Sequence, residues 1–283
     1  MTAETAEWEW DHTLFAGAAA HYERGRLPYA PGLSDALRDA LGLDGTGRLL
    51  DVGCGPGTLA LRLAPLFSEI VGVDPDHGMI AEAQWAAGIS GLGARARWLC
   101  IRAEQLPYGL DTFDVATFGQ SFHWMDQPQV ATTVLDMLRP GGAFVHVSHL
   151  QDEDLPVADL PWPAIPHAAI DQLIQSYLGP VRRAGRGLLP NGTRGGEAEA
   201  LTAAGFEGPQ RLVIPAGQPL ERVPDDIVAA VFSTSSSTPH QFGAQRGDFE
   251  AALRRLLART SPTGPFSARR PSTEIHLWRR PSD

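Results

Sequence analysis

The sequence predicts an α/β protein whose core is a doubly wound, mostly parallel β-sheet of seven strands. Short apolar runs, such as RLLDV at 48–52 and EIVGVD at 69–74, alternate with helical patterns such as TLALRLAPLF at 58–67. This alternation is typical of parallel sheets, because each parallel pair of strands needs a crossover connection. The chain has 283 residues, 43% of them hydrophobic, which is enough for a sizeable core.

Local patterns justify each element in turn. A first helix is predicted over 14–23, and a second begins near Ser34, a good N-cap residue, and ends at Gly42. The helix that starts at Pro128 is expected to end at Pro140. The predicted strands are 48–52, 69–74, 96–103, 112–119, 143–150, 209–215 and 272–280. The other predicted helices are 58–67, 77–87, 167–178, 195–206, 225–232 and 248–258.

Composition excludes several classes of function. The net charge is −10, and a broad phosphate-binding surface needs the opposite sign, so we expect no nucleic-acid partner. All 23 basic residues are arginine, which removes any Schiff-base lysine. Two cysteines, Cys54 and Cys100, are too few for a disulfide framework and lack the spacing of a metal site. No apolar stretch reaches membrane-spanning length, so we expect a cytoplasmic protein without a membrane partner or a metal.

The stretch LLDVGCGPGT at 49–58 carries glycines on alternate positions, Gly53, Gly55 and Gly57. Ligands of open α/β sheets bind beyond the carboxyl ends of the strands, and glycines there let backbone N–H groups approach the ligand. The motif alone is ambiguous. It fits the looser dinucleotide fingerprint, with Asp74 as the acid that binds a ribose, and it also fits a tight turn that binds nothing.

Further motifs narrow the choice. Asp51 precedes the first glycine, Asp74 ends the second strand, AEQLP at 103–107 follows the third, and LRPGG at 138–142 leads into the fifth. Together they resemble the class I S-adenosylmethionine-dependent methyltransferases. The phrase SFHWMD at 121–126 resembles the small-molecule branch of that family, near the ubiquinone-biosynthesis and trans-aconitate enzymes.

The resemblance covers residues 15–150 well, and the closing strand extends it to the end of the chain. It implies a Rossmann-like methyltransferase fold in which the last strand is antiparallel and inserts into the sheet. We therefore divide the chain into an N-terminal lid segment (1–30) and a cofactor-binding core (31–150). A Pro- and Gly-rich cap insertion over the substrate (151–196) follows, and the remainder (197–283) completes the sheet with inserted helices.

The resemblance implies that S-adenosylmethionine binds at the glycine loop and leaves as S-adenosylhomocysteine. Asp51 would favour its ammonium group, and Asp74 would accept hydrogen bonds from both ribose hydroxyls. Asp51 could instead cap the next helix, and Asp74 could be a turn residue. The implied cofactor-binding residues are Tyr22, Arg26, Asp51, Gly53, Gly55, Gly57, Asp74, Pro75, Met79, Ala103, Glu104 and Gln120.

The other side chains of this set would contact the adenine, the ammonium group and the carboxylate of the cofactor. Met79 can lie against adenine or be plain core, and Glu104 can meet the adenine edge or be a solvated acid. Gln120 could offer its carbonyl to the ammonium. In the lid, Tyr22 and Arg26 would close over the carboxylate, since a guanidinium matches it as a planar fork; alternatively they belong to a surface helix.

Methyl transfer is an in-line displacement that needs a base only when the acceptor must lose a proton. The candidate catalytic residues are His123, after the fourth strand, and His149, after the fifth. Either imidazole could merely pack, with Trp124 forming a wall beside His123. We expect transfer to an O, N or C atom of a small molecule, with secondary metabolism as a candidate setting, by a monomer or homodimer. The alternatives are a non-catalytic protein that binds the same cofactor and an NAD(P)-dependent oxidoreductase.

Overall fold

The computed structural model describes Asp11 and residues 13–150, 160–180 and 196–282, together with the backbone of 183–184 and 187–188. The helices are α1 (Ala19–Gly25), α2 (Leu33–Leu41), α3 (Thr58–Leu63), α4 (His77–Ile89), α5 (Gln127–Met137), α6 (His167–Leu178), α7 (Glu197–Ala204), α8 (Pro224–Phe232) and α9 (Arg246–Thr260). The strands are β1 (Arg48–Val52), β2 (Glu69–Asp74), β3 (Ala96–Cys100), β4 (Phe113–Gly119), β5 (Leu138–Leu150), β6 (Arg183–Ala184), β7 (Gly187–Leu188), β8 (Glu207–Ile214), β9 (Leu220–Arg222), β10 (Phe266–Ala268) and β11 (Ser272–Arg279).

The predicted seven-stranded sheet is confirmed, in the order β3-β2-β1-β4-β5-β11-β8. Strands β1 to β5 pair in parallel, and β11 lies antiparallel between β5 and β8. The strand order reverses between β1 and β4, which places the ligand-binding edge of such a sheet at their carboxyl ends. Among the described residues, no helix combines the length and the apolar character that a membrane crossing requires.

Alternation along the strands divides the core between two faces of the sheet. Leu49 of β1 is fully buried on the face covered by α2, α3 and α4, whereas Leu50 is fully buried on the face covered by α5 and α7. Val147 of β5 shares the face of Leu49, and Phe144 shares the face of Leu50. Both faces of the sheet are therefore covered by helices, as a doubly wound fold requires.

A third cluster of buried residues forms a cap, built from α6, α8, α9 and the 3₁₀ turn Pro239–Gln245. Phe242 and Phe249 stack at its centre with ring centroids 4.1 Å apart. The cap thus draws on two separate parts of the chain, whereas the sequence interpretation confined it to 151–196 and assigned the later helices to the sheet's completion. The short antiparallel ribbon of β9 and β10 brackets α8 and α9 as one excursion, and three-residue strands leave little sequence signal. Residues 151–159, 181–182, 185–186 and 189–195 of the predicted cap lie outside the described part of the chain.

Several predicted boundaries differ from the structure, and two of them illustrate local causes. The first helix begins at Ala19 rather than residue 14, because Gly17 has a left-handed φ of +79°, which interrupts helical geometry. The fifth helix ends at Met137 rather than Pro140: Leu138 is already extended, with ψ of 147°. Pro140 disfavours helical geometry in Arg139, the residue before it, and Leu138, one residue earlier, already belongs to β5.

Candidate active site

The glycine loop joins β1 to α3 at the carboxyl edge of the sheet, and its glycines serve different purposes. Gly53, Gly55 and Gly57 all have left-handed φ, of +68°, +53° and +80°. A Cβ on Gly53 would lie 2.5 Å from the Cβ of Ser121, and one on Gly57 would lie 2.7 Å from the indole of Trp98. A Cβ on Gly55 would meet no atom within 4 Å and would project into open space. The first and third glycines therefore allow close packing, and Gly55 leaves room for a ligand.

Asp51, at the end of β1, is a buried carboxylate with one free oxygen. Its exposed fraction is 1%. Oδ1 accepts a hydrogen bond of 2.8 Å from the Thr117 hydroxyl, and buried Oδ2 has no hydrogen-bond partner in the structure. Burial raises the pKa of Asp51 to about 7; the Thr117 bond and an interaction with the backbone N–H of Ala60, in the first turn of α3, oppose the shift, and the charge of Asp74 adds to it. Because a buried, unpaired oxygen is costly, this geometry favours a cationic partner for Oδ2.

Asp74, at the end of β2, ties the glycine loop to its neighbouring strand. Oδ2 accepts from the backbone N–H of Gly55 and Oδ1 from that of Asp76, each at 2.9 Å. Burial raises the pKa of Asp74 to about 6, and these two backbone bonds oppose the shift. Asp74 is therefore a turn-forming residue, one of the alternatives left open above. Each of its oxygens nevertheless retains a lone pair for a further donor.

A cleft opens beside these carboxylates, with about 660 Å³ of empty space when the open solvent at its mouth is included. Nine of the predicted cofactor-binding residues line it: Tyr22, Gly53, Gly55, Asp74, Pro75, Met79, Ala103, Glu104 and Gln120. Sequence reasoning missed Phe15, Val73, Arg102, Gly119, Ser121 and Met125, and it anticipated Trp124 only as a wall. The prediction thus located the cavity but not its aromatic rim, because Phe15 reaches Trp124 from a distant part of the chain, with ring centroids 5.6 Å apart.

At the far end of this cavity, Met79 and Ala103 supply apolar surface, and Glu104 is held in place. The Glu104 side chain accepts a hydrogen bond of 2.9 Å from the backbone N–H of Asp126, and its carbonyl accepts one of 3.1 Å from the Gln129 amide. Glu104 therefore fixes the start of α5 as well as lining the cavity, which argues against a freely solvated acid.

A second cavity adjoins the first and contains the remaining predicted residues except Gly57 and His123. Arg26, Asp51 and His149 line it, together with the unpredicted Tyr29, and it shares Tyr22, Gly53, Gly55, Gly119 and Gln120 with the first. Gly57 lies behind the loop as the residue before α3. The two cavities form one continuous site that follows the carboxyl edge of the sheet.

Arg26 has donors to spare in this second cavity. Its Nη2 donates a 2.8 Å hydrogen bond to the Ser233 carbonyl, whereas its buried Nε has no partner in the structure. The guanidinium lies 4.9 Å from the centroid of the Tyr22 ring, in a cation–π contact. A free guanidinium N–H beside an open cavity is suited to a carboxylate.

The described part of the predicted lid is anchored to the cap. A Cβ on Gly25 would lie 2.4 Å from the Ala229 carbonyl oxygen, so α1 packs closely on α8. The Arg222 side chain donates to the carbonyls of Arg24 (2.7 Å) and Gly25 (3.0 Å). These contacts make α1 a wall of the site. Residues 1–10 and 12 of the predicted lid lie outside the described part of the chain.

The structure brings one of the two predicted catalytic histidines to the cavity. The His149 ring stacks on Tyr29 with centroids 5.1 Å apart and planes 5° apart, and its buried Nδ1 has no hydrogen-bond partner. Burial, with the charge of Arg26, lowers the pKa of His149 to about 4, so its ring is neutral at pH 7. Gln120, which adopts a left-handed φ of +53°, interacts with the Tyr29 hydroxyl.

His123 is placed differently. It sits in the 3₁₀ turn Phe122–Trp124, where Trp124 lines the cavity and His123 does not. Its ring centroid lies 5.1 Å from that of Trp124, and burial lowers its pKa to about 4. When protonated, His123 lowers the pKa of His146. His146 lies on β5, on the opposite face of the sheet from His149. The packing alternative for His123 therefore fits its surroundings better than contact with a ligand.

Comparison with known proteins adds independent evidence. A family described as "Methyltransferase domain" matches residues 49–142, from β1 into β5. A methyltransferase of Mycobacterium tuberculosis, named as uncharacterized, is 33% identical over 143 residues, which are 50% of this chain and 54% of that protein. A ubiquinone biosynthesis O-methyltransferase of Sinorhizobium medicae is 31% identical over 150 residues, 50% of this chain and 58% of that one.

The chain spans about half the length of these curated relatives. Among solved structures, the YcgJ protein of Bacillus subtilis matches with a TM-score of 0.50 at 18% identity, covering 88% of this chain and 98% of that chain. At that identity the likeness shows the fold alone. Residues 49–142, which match the methyltransferase domain family, contain the glycine loop, Asp51 and Asp74.

Proposed function

We propose that this chain, which matches a family described as a methyltransferase domain at residues 49–142, is a class I S-adenosylmethionine-dependent enzyme that methylates a small molecule. The observation that carries the proposal is the buried, unpaired Oδ2 of Asp51 beside a loop whose Gly55 leaves open space. A buried, charged carboxylate oxygen is costly unless a cation pairs with it, and the amino-acid end of S-adenosylmethionine carries an ammonium group.

The donor set of the site fits the rest of that molecule. The spare Nε of Arg26 suits the carboxylate of the amino-acid end, and the remaining lone pairs of Asp74 suit the two ribose hydroxyls. Met79 and Ala103 provide an apolar surface for adenine. A dinucleotide carries a pyrophosphate, which would have to lie against the negative Asp51 and Asp74, so an NAD(P)-dependent reaction fits the site less well.

When bound, S-adenosylmethionine supplies a methyl group on a positively charged sulfur, whose departure as a neutral thioether needs no acid. The protein's task is therefore to hold the acceptor in line and to exclude water. Tyr29, Phe15 and Trp124 line the paired cavities with aromatic rings that serve this purpose. Burial raises the pKa of Tyr29, so its hydroxyl keeps its proton and can donate a hydrogen bond.

His149 is the residue best placed to accept a proton from an acceptor that must lose one. Its ring lines the second cavity and is neutral at pH 7, so a ring nitrogen has a lone pair available. A pKa near 4 makes it a weak base, which suits an acceptor hydrogen that becomes acidic only during transfer. An acceptor with a free lone pair would need only the hydrogen bond that His149 can offer.

Calorimetry with S-adenosylhomocysteine, adenosine and NAD tests the binding half of the proposal. We expect S-adenosylhomocysteine to bind well and NAD to bind weakly or not at all. Arg26→Gln should weaken S-adenosylhomocysteine about tenfold or more, because it loses a hydrogen bond to a charged group, and should leave adenosine unchanged, since adenosine lacks the carboxylate. Arg38→Gln, on the exposed face of α2, is the matched control.

The catalytic half is tested by incubating the protein with methyl-labelled S-adenosylmethionine and fractionated small-molecule extracts. Label transferred to an extracted compound supports the proposal. Binding without any transfer would indicate a protein that binds the cofactor without catalysis. Tight NAD binding with no response to S-adenosylhomocysteine would refute the proposed cofactor.

A further inference from the structure

A third cavity lies within the cap, between α6, α8 and the ribbon of β9 and β10. Its cavity volume is about 480 Å³, within the roughly 300–1,000 Å³ of a typical small-molecule pocket. It shares Gly25, Leu27, Ala230 and Thr234 with the second cavity. These four residues, called the junction below, line both the cap cavity and the second cavity, in which His149 lies.

The wall of this cap cavity is held in place by specific contacts. The backbone N–H of Trp162 donates to the Ser267 hydroxyl at 3.1 Å, and the Ser267 backbone N–H donates to the Pro163 carbonyl at 3.0 Å. The Trp162 indole also donates to Glu221 of β9 at 3.2 Å. These bonds fasten the segment before α6 to the β9–β10 ribbon, so the cavity is a built feature of the cap.

Aliphatic side chains dominate the lining: Leu27, Leu160, Ile165, Ile170, Ile174, Ile227 and Val231. Hydroxyl groups of the lining already serve the protein. Ser237 donates to the Val231 carbonyl at 2.7 Å and Thr234 donates to the Ala230 carbonyl at 3.1 Å. The surface offered to a ligand is therefore mainly hydrocarbon, which favours apolar groups over hydrogen-bonding ones.

The charged groups of the lining are also engaged. Arg222 donates from Nη2 to the carbonyls of Arg24, Gly25 and Asp226 at 2.7, 3.0 and 3.1 Å. Asp171 and Arg269 each have an interaction partner of their own. A charged ligand would lose its hydration here without gaining a dedicated counter-charge, and that loss is costly.

We propose that the cap cavity binds the apolar body of an uncharged acceptor, whose methylated end passes through the junction toward His149. This inference rests on the proposed methyl transfer for the identity of the reacting end, and it specifies the class of acceptor: a neutral, largely hydrocarbon molecule with one polar, methylatable group. The aliphatic lining, the engaged polar groups and the four lining residues shared with the second cavity carry the proposal together.

A ladder of 4-alkylphenols, from methyl to hexyl, tests the cap cavity directly by calorimetry. The phenols are uncharged at pH 7, and burial of each added methylene should strengthen binding about three- to fourfold. The 4-alkylbenzoates with the same chains carry a negative charge and should bind at least tenfold more weakly. A flat phenol ladder, or benzoates that bind as well as phenols, would overturn the proposal.

Two variants locate the site. Ala164 lines the cavity, so Ala164→Trp should end the gain per methylene at a shorter chain; Ala168→Trp, on the exposed surface of α6 outside the lining, should follow the unmodified protein. Ile174→Ala enlarges the cavity and should extend the ladder, which keeps the test open if the tryptophan variant fails to fold. A ladder unchanged in a folded lining variant would place phenol binding elsewhere and reject the cap cavity.

This experiment is separate from the test of cofactor binding. The phenol ladder needs no S-adenosylmethionine and no turnover, so it can fail while S-adenosylhomocysteine still binds. In that case the proposal of methyl transfer would be retained, and the proposal of a neutral, largely hydrocarbon acceptor would be rejected. If phenol affinity rises with chain length but S-adenosylhomocysteine does not bind, the cap cavity is an apolar binding site and methyl transfer to its ligand is rejected.

Discussion

Asp51→Asn is the perturbation that tests the site most sharply. The variant keeps the size of the side chain and can still accept the 2.8 Å hydrogen bond from Thr117 through its amide oxygen. At the position of the unpaired Oδ2 it places an amide N–H₂, which donates and cannot pair with an ammonium group. Loss of a hydrogen bond between charged groups costs about 1.5–3 kcal/mol, so S-adenosylhomocysteine should bind about tenfold to a hundredfold more weakly.

The dependence of binding on pH gives the same test without a mutation. The pKa of Asp51 is raised to about 7, so half of the free protein holds the proton at that pH. An ammonium group selects the ionised form, so affinity should increase with pH until Asp51 is fully ionised. Between pH 5.5 and 7.0 the ionised fraction rises about 15-fold, and affinity for S-adenosylhomocysteine should rise with it. Isothermal calorimetry in buffers of different ionisation enthalpy would also detect the released proton.

Adenosine and a remote variant are the controls. Adenosine lacks the ammonium group but keeps the ribose, so its pH dependence reports Asp74 alone, whose pKa is raised to about 6. Asp35→Asn removes an exposed carboxylate on α2 and should alter neither profile. If Asp51→Asn binds S-adenosylhomocysteine normally, or if the pH profile of the unmodified protein is flat from 5.5 to 7.0, the ammonium is held elsewhere.

Three further outcomes are expected. Asp74→Ala should weaken both adenosine and S-adenosylhomocysteine about tenfold to a hundredfold in calorimetry, and unchanged constants would show that the ribose lies elsewhere. Gly53→Ala should lower both the melting temperature and cofactor affinity, because its Cβ would lie 2.5 Å from that of Ser121; normal values would show that the loop can shift. With an acceptor that must lose a proton, His149→Gln should reduce turnover about a hundredfold at unchanged cofactor affinity, while His123→Gln should not; the reverse result would reassign the base.

The sheet and the glycine loop were predictable because their signals are local. A strand, a tight turn and a helix follow one another within 48–63, and an acid stands at the end of each of the first two strands. The position of β11 was predictable only through the resemblance, because the sequence of a strand does not reveal which neighbours it pairs with. The packing of α6 on α8 and α9 was not predictable from local patterns, because a strand of the main sheet lies between these helices in the sequence.

The histidines show where residue patterns stop being informative. Alternation along β5 places His149 on the face of Val145 and Val147, so its direction could be read from the period of the strand. His123 lies in a single 3₁₀ turn, where adjacent side chains point in different directions and no period exists to orient them. Tyr29 and His149 are far apart in the sequence and stack only because the chain folds, so no local motif predicts this contact.

The buried titratable groups shift in opposite directions, and this affects how stability depends on pH. Burial lowers the pKa of His123, His146 and His149 to about 4 from 6.5, so between these values the unfolded chain binds protons that the folded chain does not. These three groups therefore reduce the free energy of unfolding as the pH falls from 6.5. Asp51 and Asp74, raised to about 7 and about 6 from 3.8, do the opposite over the same range. Near pH 5 these five groups together bind about one proton more in the unfolded chain than in the folded chain. Their contribution to the free energy of unfolding therefore falls by about 1.4 kcal/mol for each pH unit of acidification.

A ligand that holds Asp51 and Asp74 ionised removes this compensation. With S-adenosylhomocysteine bound, the two carboxylates no longer take up protons in the folded state, and the histidines alone set the slope. The bound protein should therefore lose stability on acidification more steeply than the free protein, by about two further protons, until the ligand dissociates. Thermal unfolding at pH 7.5, 6.0 and 5.0 should show a rise in melting temperature with S-adenosylhomocysteine that shrinks toward zero at pH 5.0. A rise that is equally large at pH 7.5 and 5.0 would mean that these two carboxylates do not change protonation when the ligand binds, and the assignment of both to the cofactor would have to be withdrawn.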